Sequence, residues 1–391
     1  MSGPLNGLVV IELAGIGPAP FAGMLLADLG ADVIRVDRPV RSATADGSIA
    51  PGDPRHELLG RGKRSIAVDL KRPRGAEVVR ALAAEADALI EGFRPGVAER
   101  LGVGPADCHA VNPRLVYGRM TGWGQDGPLA QTAGHDVVYL AISGVLHAIG
   151  PAGGSPVPPL NLIGDYGGGG MLLAAGVLAA LWSAQCTGTG QIVDAAIIDG
   201  AALLATQLYG LFHSGLWRDD RGANLLDGGA PFYGVYPTAD GRYLAVGPLE
   251  PKFYAEFVAR LGLDPEQIPS QYDVAGWPRL REAIAARLAT RTRDEWMSVF
   301  DGGDACVAPV LSLREAAGYD EPGHRHLTAR RTFIEAHGIR QPAPAPRFGG
   351  TPPGPPRRPP PYPGEHTREV LAGFRIPDLD DLLSDGVVTQ W

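Results

Sequence analysis

Cysteine is scarce in this chain. Three of the 391 residues are cysteines, and Cys108, Cys186 and Cys306 lie far apart and form no CxxC pair. An odd number of isolated cysteines excludes a disulfide framework and a zinc cluster of the usual spacing. We therefore expect free thiols, no metal ion and a location in the reducing cytoplasm.

Long basic runs and long apolar runs are also lacking. The formal net charge is −8 and no extended Lys/Arg run is present, which excludes general affinity for nucleic acid because counterion release requires a basic face. No stretch reaches about 20 uninterrupted apolar residues, the length of a membrane span. The N-terminus lacks the basic flank and apolar run of a signal peptide, so we expect neither secretion nor a membrane-spanning segment.

What is present is the composition of a globular protein, with 45% hydrophobic and 20% charged residues over a length that suits two domains. The chain opens with the pattern of a βαβ unit: an apolar run at 8–13, an amphipathic stretch at 21–29 and a second apolar run at 33–36. Later patterns predict a helix over 76–86 and strands over 88–91 and 115–119, and residues 173–212 are helix-like with a short apolar run at 192–196. This alternation predicts an α/β fold with a parallel sheet and helices on its faces.

The pattern changes after Gly228. Two strand-like runs, at 231–236 and 241–246, flank Ala239-Asp240 and indicate a hairpin. We place a smaller α+β domain at 225–325 and assign 1–215 together with 335–391 to the large domain.

Prolines dominate residues 341–364, which is typical of an extended arm, and residues 365–374 are expected to form a closing helix. Such an arm needs a docking surface, for which a partner subunit is one candidate. A flexible linker with a mobile tail is the alternative.

The turn at 15–20 superficially resembles a dinucleotide-binding fingerprint, with Asp37 near the position of an acidic ribose ligand. The match is poor, because Pro20 replaces the third glycine and Arg38 brings a cation to the ribose end. An arginine there suits a phosphorylated ribose, either NADP or the 3′-phosphate of coenzyme A. The alternative is a strand-end arginine in solvent.

Three further cations lie near the ends of other predicted strands. Lys63 lies in the run RGKRS at 61–65, and Arg94 and Arg100 follow the strand that ends near Glu91. Open α/β sheets bind ligands at their strand ends, so these cations could form a phosphate-binding rim. The alternative is a solvated charged face.

Three other side chains have the chemistry of acids and bases. His135 opens an apolar segment, and the positive end of a helix there would favour neutral imidazole, a usable base. Asp165 stands between an apolar strand and the glycine run 167–170, where partial burial would raise its pKa. Glu250 precedes Pro251. Each has an ordinary alternative: capping or packing for His135, and helix N-capping for the two carboxylates.

A set of motifs in fixed order gives these residues a context. They are ELAGIGP at 12–18, DVIRVDR at 32–38, EGFRPGV at 91–97, MTGWGQ at 120–125, GHD at 134–136, NLIGD at 161–165, DGGAP at 227–231 and DGRY at 240–243. In this order and spacing they closely resemble the alpha-methylacyl-CoA racemases of the family III CoA-transferase (CaiB/BaiF) superfamily. The stretch 40–54 is longer and richer in glycine, proline and aspartate than is usual in that family.

The resemblance implies an interlocked homodimer of a Rossmann-like large domain and a small domain, with each active site between subunits. It implies catalysis by His135, paired with Glu250, and by Asp165 on the opposite face of the substrate. It places further residues at the acyl-CoA: Arg38, Lys63, Arg94, Arg100, Asp136 and Tyr139. Neither a metal nor a cofactor is implied, since coenzyme A is part of the substrate.

Two alternatives have different sequence requirements. A CoA-transferase of the same superfamily would use Asp165 as a nucleophile and would need no second base such as His135. The glycine-rich loop that many transferases carry in the small domain is also missing, since VGPLEP occupies 246–251. A non-catalytic acyl-CoA-binding protein would have no need of His135, Asp165 and Glu250 together.

Overall fold

The computed structural model describes residues 3–39, 52–319 and 323–391. Most of the unusual stretch 40–54 therefore lies outside the described residues. The chain forms two compact units, of which the first comprises Met1–Ser143, Leu160–Leu204 and His326–Trp391. The second comprises Gly144–Pro159 and Ala205–Arg325, so it includes residues outside the predicted range 225–325.

The strands of both units are short. In chain order they are β1 (Val9–Leu13), β2 (Asp32–Asp37), β3 (Arg64–Val68), β4 (Ala88–Glu91), β5 (Val116–Thr121), β6 (Ile192–Ala196), β7 (Gly234–Pro237), β8 (Tyr243–Val246), β9 (Val307–Pro309), β10 (Phe333–Ala336), β11 (Ile339–Pro342) and β12 (Val388–Thr389).

The helices vary more in length. They are α1 (Pro18–Asp28), α2 (Pro73–Ala84), α3 (Val97–Arg100), α4 (Pro105–Val111), α5 (Asp136–Ile142), α6 (Leu172–Thr187), α7 (Ile197–Leu204), α8 (Thr206–His213), α9 (Pro251–Leu261), α10 (Trp277–Leu288), α11 (Arg293–Phe300), α12 (Leu313–Ala317), α13 (Arg325–Ala329), α14 (Thr367–Gly373) and α15 (Leu379–Ser384). Short 3₁₀ turns occupy Pro54–His56, Leu58–Gly60, Leu146–Ala148 and Val274–Gly276.

The first unit is built on a seven-stranded sheet in the order β12-β3-β2-β1-β4-β5-β6. Its six longer strands are parallel, as expected, while β12 pairs antiparallel with β3 at one edge and was not predicted. The chain starts at β1, moves outward to β3 and then crosses to β4 on the other side of β1. The strand order therefore reverses between β1 and β4, which is where open α/β sheets bind their ligands.

Both faces of this sheet are covered. Side chains from β1 alternate between two apolar clusters: Ile11 and Leu13 lie in one, which includes residues of α2 and α14, and Val10 lies in the other, with residues of α1 and α6. Parallel strands buried on both faces have continuous apolar sequences, which is why these strands could be predicted. Because helices cover both faces, a ligand can reach this sheet only at the ends of its strands.

A π-helix, Leu162–Met171, replaces the strand that was predicted before the glycine run, and it continues directly into α6. That prediction was wrong because a short apolar run does not distinguish a strand from a helical segment. By length and composition the segment Leu162–Thr187 could also cross a membrane, although 44% of its most apolar window is buried inside the protein. The packing of α6 against β5 and β6 accounts for much of this apolar character.

The second unit contains a three-stranded antiparallel sheet, β7-β8-β9. The predicted hairpin is confirmed, with strands at Gly234–Pro237 and Tyr243–Val246. Its core is aromatic, with Phe232, Phe257 and Trp296 fully buried among residues of α9, α10 and α11.

Candidate active site

Glycine loops surround the carboxyl ends of β1 and β4 in the first unit. Gly17 follows β1 with φ +75°, and a Cβ added to it would lie 3.2 Å from Oδ2 of Asp165. Gly92 follows β4, and an added Cβ would lie 3.4 Å from Cβ of Ala19 at the start of α1. The Asp165 carboxyl group therefore lies at the reversal of strand order, where a side chain at Gly17 would be strained by its positive φ and would contact the carboxyl group tightly.

Asp165 projects from the π-helix and is half-buried. Its backbone N–H donates to Oδ2 of Asp136 at 2.7 Å, and Nδ2 of Asn161 donates to its Oδ2 at 3.4 Å. Burial raises the pKa of Asp165, and the negative charge of Asp136 raises it further. The hydrogen bond from Asn161 and the nearby His135 lower this pKa, but burial is the largest effect. The expected rise in pKa is confirmed, and the carboxyl group is suited to holding a proton.

His135 is the residue that immediately precedes α5, as predicted, with extended backbone angles. Its side chain makes no capping hydrogen bond and is exposed. It lies close enough to Asp165 to act electrostatically on that carboxyl group. The fold thus brings an accessible imidazole and a half-buried carboxyl group, 30 positions apart in sequence, to one edge of the sheet.

Asp136 and Tyr139, expected at the substrate, are buried beside this pair. Asp136 accepts the Asp165 backbone N–H, and Tyr139 packs edge-on against Trp123 with ring centroids 4.8 Å apart. An added Cβ on Gly122 would lie 2.3 Å or less from the Tyr139 ring carbons and hydroxyl. Asp136 therefore supports the site through its contact with Asp165, and the Tyr139 ring packs tightly beside it.

Three of the four predicted rim cations lie at strand ends. Arg38 directly follows β2, while Arg94 and Arg100 lie in the segment that follows β4. All three are exposed. Their placement at the carboxyl edge of the sheet fits binding of an anionic group near Asp165.

Lys63 does not share this placement. Its ammonium group is fully buried, donating to Oε2 of Glu12 at 2.6 Å and to the Pro20 carbonyl at 2.9 Å. The other cations of the 61–65 run are also paired internally, Arg61 with Asp28 and Arg64 with Asp32. The expectation that Lys63 lines a phosphate rim is wrong, because its ammonium group is buried in an ion pair with Glu12.

Asp37 is likewise engaged. Its Oδ2 accepts Nε of Arg35 at 2.8 Å and the Ser65 hydroxyl at 2.5 Å. A carboxylate held in this way has less capacity for a ribose hydroxyl, which argues further against a dinucleotide site.

Glu250 belongs to the second unit. It precedes Pro251 at the start of α9, as expected from the helix-cap alternative, but its side chain makes no capping hydrogen bond. The side chain is exposed. Its carboxylate is therefore not committed to the helix that it begins.

Comparison with known proteins gives the site a family. Residues 5–367 match the model of CoA-transferase family III. The chain belongs to CoA-transferase family III. It is 45% identical over 387 residues to the mouse alpha-methylacyl-CoA racemase and 44% identical over 390 residues to the human one, in each case covering 98% of this chain and 97% of the relative.

The fold agrees with this family assignment. The crystal structure of a CAIB/BAIF family protein from Brucella suis superposes with a TM-score of 0.79 at 26% identity, covering 96% of this chain and all of that one. The α/β architecture expected from the resemblance is thereby confirmed.

Two residues of the site in this family III chain were not predicted. Asn161 lies four positions before Asp165, the spacing at which side chains meet on a helix, but the apolar pattern there predicts a strand. For Gly17 the sequence predicts only a turn. Elsewhere, the three cysteines are free, and no group of His, Cys, Asp and Glu within the described ranges has the arrangement of a metal site.

Proposed function

We propose that this chain is an alpha-methylacyl-CoA racemase, which interconverts the (2R) and (2S) forms of a 2-methylacyl-CoA thioester. The observation that carries the proposal is the pairing of His135 with Asp165 at one edge of the sheet. Inversion of a carbon centre by proton transfer needs two acid/base groups. Identity of 44–45% to two racemases over 98% of the chain supports the same activity.

The mechanism follows from the acidity of the reacting carbon. A proton next to a thioester is weakly acidic, so its removal requires a base in contact and stabilisation of the enolate oxygen. One face of the carbon is served by His135 and the other by Asp165. Whichever group is unprotonated removes the proton, and the protonated one delivers its own to the opposite face. The raised pKa of Asp165 suits this exchange of roles.

The exposed arginines supply the binding energy for the coenzyme. Arg38, Arg94 and Arg100 present three cations at the strand ends, where they can bind the phosphate groups of an acyl-CoA. The coenzyme is part of the substrate, so the reaction needs no further cofactor. We place the reaction in the cytoplasm on the evidence of the three free cysteines.

A homodimer completes the site. Exposed apolar side chains lie on three mutually packed elements of the first unit: Ile142 on α5, Leu162 on the π-helix, and Leu203 and Leu204 on α7. Exposed apolar surface of this kind marks an interaction site. We propose that a second copy covers it, and that Glu250 of one subunit orients the His135 imidazole of the other.

The transferase alternative accounts for less of the site. An aspartyl nucleophile would use Asp165 but would leave His135 without a chemical role. A non-catalytic binding protein would leave both without one. The racemase uses both groups and the exposed arginines.

Proton exchange with solvent tests the two-base mechanism. Each single enantiomer of a 2-methylacyl-CoA, incubated with enzyme in deuterated water, should gain deuterium at C2 and invert. In His135→Ala and in Asp165→Asn, inversion should fall by about 10²-fold or more. Each variant should still exchange the proton of only one enantiomer, and the two variants should prefer opposite ones, because the remaining base serves one face.

The control is binding of free CoA, which both variants should retain. Inversion without deuterium uptake by the wild-type protein would contradict the mechanism. Transfer of CoA to an added carboxylate, together with an aspartyl adduct trapped by hydroxylamine at Asp165, would favour the transferase.

A further inference from the structure

Glu91 is a buried carboxylate that the proton-transfer mechanism does not use. It is the last residue of β4, and its side chain is fully buried. Its Oε2 accepts the backbone N–H of Phe93 at 2.6 Å, and its Oε1 accepts Nε of Arg119 at 3.1 Å. Burial raises the pKa of Glu91 to about 7, against the opposing effects of these two donors. The carboxylate thus fixes the first turn of the chain beyond the strand.

Arg119 extends this contact to a second carboxylate. It lies opposite Glu91 on the neighbouring strand β5 and is almost fully buried. While Nε contacts Glu91, Nη1 and Nη2 donate to the two carboxylate oxygens of Glu99 at 2.8 and 3.3 Å. One guanidinium group therefore ties the end of β4 to the short helix α3, which contains Glu99.

The segment between these two carboxylates carries the proposed coenzyme-binding cations. Arg94 lies three residues after Glu91, and Arg100 directly follows Glu99. Among the described residues, neither cation forms an ion pair with a carboxylate. Burial raises the pKa of the Tyr139 phenol and Asp165 raises it further, while Arg94 opposes both, which places Arg94 near Tyr139.

We propose that Glu91 is a positioning residue for acyl-CoA binding: with Arg119 and Glu99 it clamps the segment 92–100 so that Arg94 and Arg100 face the coenzyme phosphates. This role rests on the proposed function. An apolar side chain would fill the end of β4 at a lower desolvation cost. What the carboxylate provides is the fixed geometry of a network of four charge-assisted hydrogen bonds, two of which it accepts itself.

Replacement by the isosteric amide tests the clamp. In Glu91→Gln the side chain loses its charge and one acceptor, so it cannot hold both the Phe93 N–H and Arg119. We expect the Kd for free CoA, measured by calorimetry, and the KM for acyl-CoA to rise about tenfold, the equivalent of one charge-assisted hydrogen bond. The value of kcat should change by less than about twofold, since binding rather than proton transfer is affected.

Asp28→Asn is the matched control. Asp28 forms an equally buried ion pair with Arg61 in the same unit, but neither residue lies in the segment 92–100. It should lower stability without changing CoA affinity. If it weakens CoA binding by the same factor as Glu91→Gln, the effect is general destabilisation and the clamp is overturned.

Two further variants make the outcome decisive. Glu99→Gln alters the second carboxylate that Arg119 contacts, which is half-exposed, so the substitution should not prevent folding. It should weaken CoA binding by about two- to threefold. In an Arg94→Ala, Arg100→Ala background, Glu91→Gln should add little, because it acts through those cations. A full additional loss there would overturn the proposal.

The result for the wild-type protein separates this role from the proposed function. A wild-type protein that binds no CoA and inverts no acyl-CoA overturns both. A wild-type protein that does both, with unchanged CoA affinity in Glu91→Gln, overturns only the role of Glu91. If Glu91→Gln does not fold, unchanged CoA affinity in Glu99→Gln overturns the proposed role of Glu91.

Discussion

Asp136 acts on Asp165 in two ways. Its Oδ2 accepts the Asp165 backbone N–H, which fixes the position of the proposed catalytic residue. Its negative charge also disfavours ionisation of Asp165, adding to the effect of burial. An added Cβ on Gly164 would lie 2.2 Å from Oδ2 of Asp136, so glycine at that position permits the contact. The sequence assigns Asp136 to substrate binding, whereas in the structure it positions Asp165 and raises the pKa of that residue.

Asp136→Asn should move the acid limb of the pH–rate profile to lower pH. The amide oxygen can still accept the backbone N–H, but the charge that raises the Asp165 pKa is gone, so that pKa falls. The active pair holds one proton, and activity is lost on the acid side when it takes up a second. A lower Asp165 pKa delays that uptake.

The measurement is kcat/KM for racemisation of one enantiomer across pH, compared with Asn161→Ala. Loss of the Asn161 hydrogen bond, which lowers the Asp165 pKa, should move the same limb to higher pH. Shifts of both variants in one direction, or no shift in Asp136→Asn, would show that Asp165 does not set this limb.

At the scale of elements, the glycine run 167–170 allows three helical segments to approach closely. An added Cβ on Gly168 would lie 2.7 Å from the Ala201 backbone nitrogen on α7, and one on Gly170 would lie 2.8 Å from the Pro18 carbonyl on α1. The run therefore packs the π-helix, which carries Asp165, against α1 and α7. This is the close backbone approach expected of such glycines.

Gly200→Ala tests this packing from the opposite side. Its Cβ would lie 1.8 Å from the Gly168 carbonyl oxygen, so α7 must move away from the π-helix. We expect a loss of about 1 to 3 kcal/mol in the free energy of unfolding, as for other overpacked sites. Racemase activity should fall as well, because Asp165 moves with the π-helix.

Gly373→Ala, at the end of α14, is the matched control. An added Cβ there meets no atom within 4 Å, so urea unfolding should show a change of less than about 1 kcal/mol. Equal stability of the two variants would show that the glycine contact is dispensable.

The sequence predicted the sheet better than the element that carries Asp165, the proposed catalytic carboxyl group. The strand Ala88–Glu91 has the predicted bounds, because it follows a clear break in the pattern, whereas the apolar run Ile192–Ala196, within a segment that looks helical in sequence, forms a strand. The strand predicted at Leu162–Met171 is wrong, since a short apolar run does not distinguish a strand from a helical segment and the close approach of Gly168 to the distant Gly200 cannot be read from the local pattern. Lys63 was misplaced because its partner, Glu12, is 51 positions away.

At the scale of the whole molecule, the proposed active site takes groups from both units of the fold. His135 and Asp165 lie in the first unit, whereas the Glu250 carboxylate belongs to the second and is not used by its own helix. The apolar side chains exposed on the first unit require a covering surface, and Ile142 and Leu203 are 62% and 61% exposed. The proposed symmetric dimer would cover these side chains and would allow Glu250 to come from the other subunit.

Complementation between two inactive variants tests the shared site. His135→Ala and Glu250→Gln, co-expressed with different affinity tags and purified through both, should form a heterodimer. One of its two sites then carries both substitutions and the other carries neither, so about half of the wild-type kcat should return. If Glu250 served the His135 of its own chain, each site would carry one substitution and the heterodimer would remain as inactive as either parent. Failure to isolate a doubly tagged species would contradict the dimer itself.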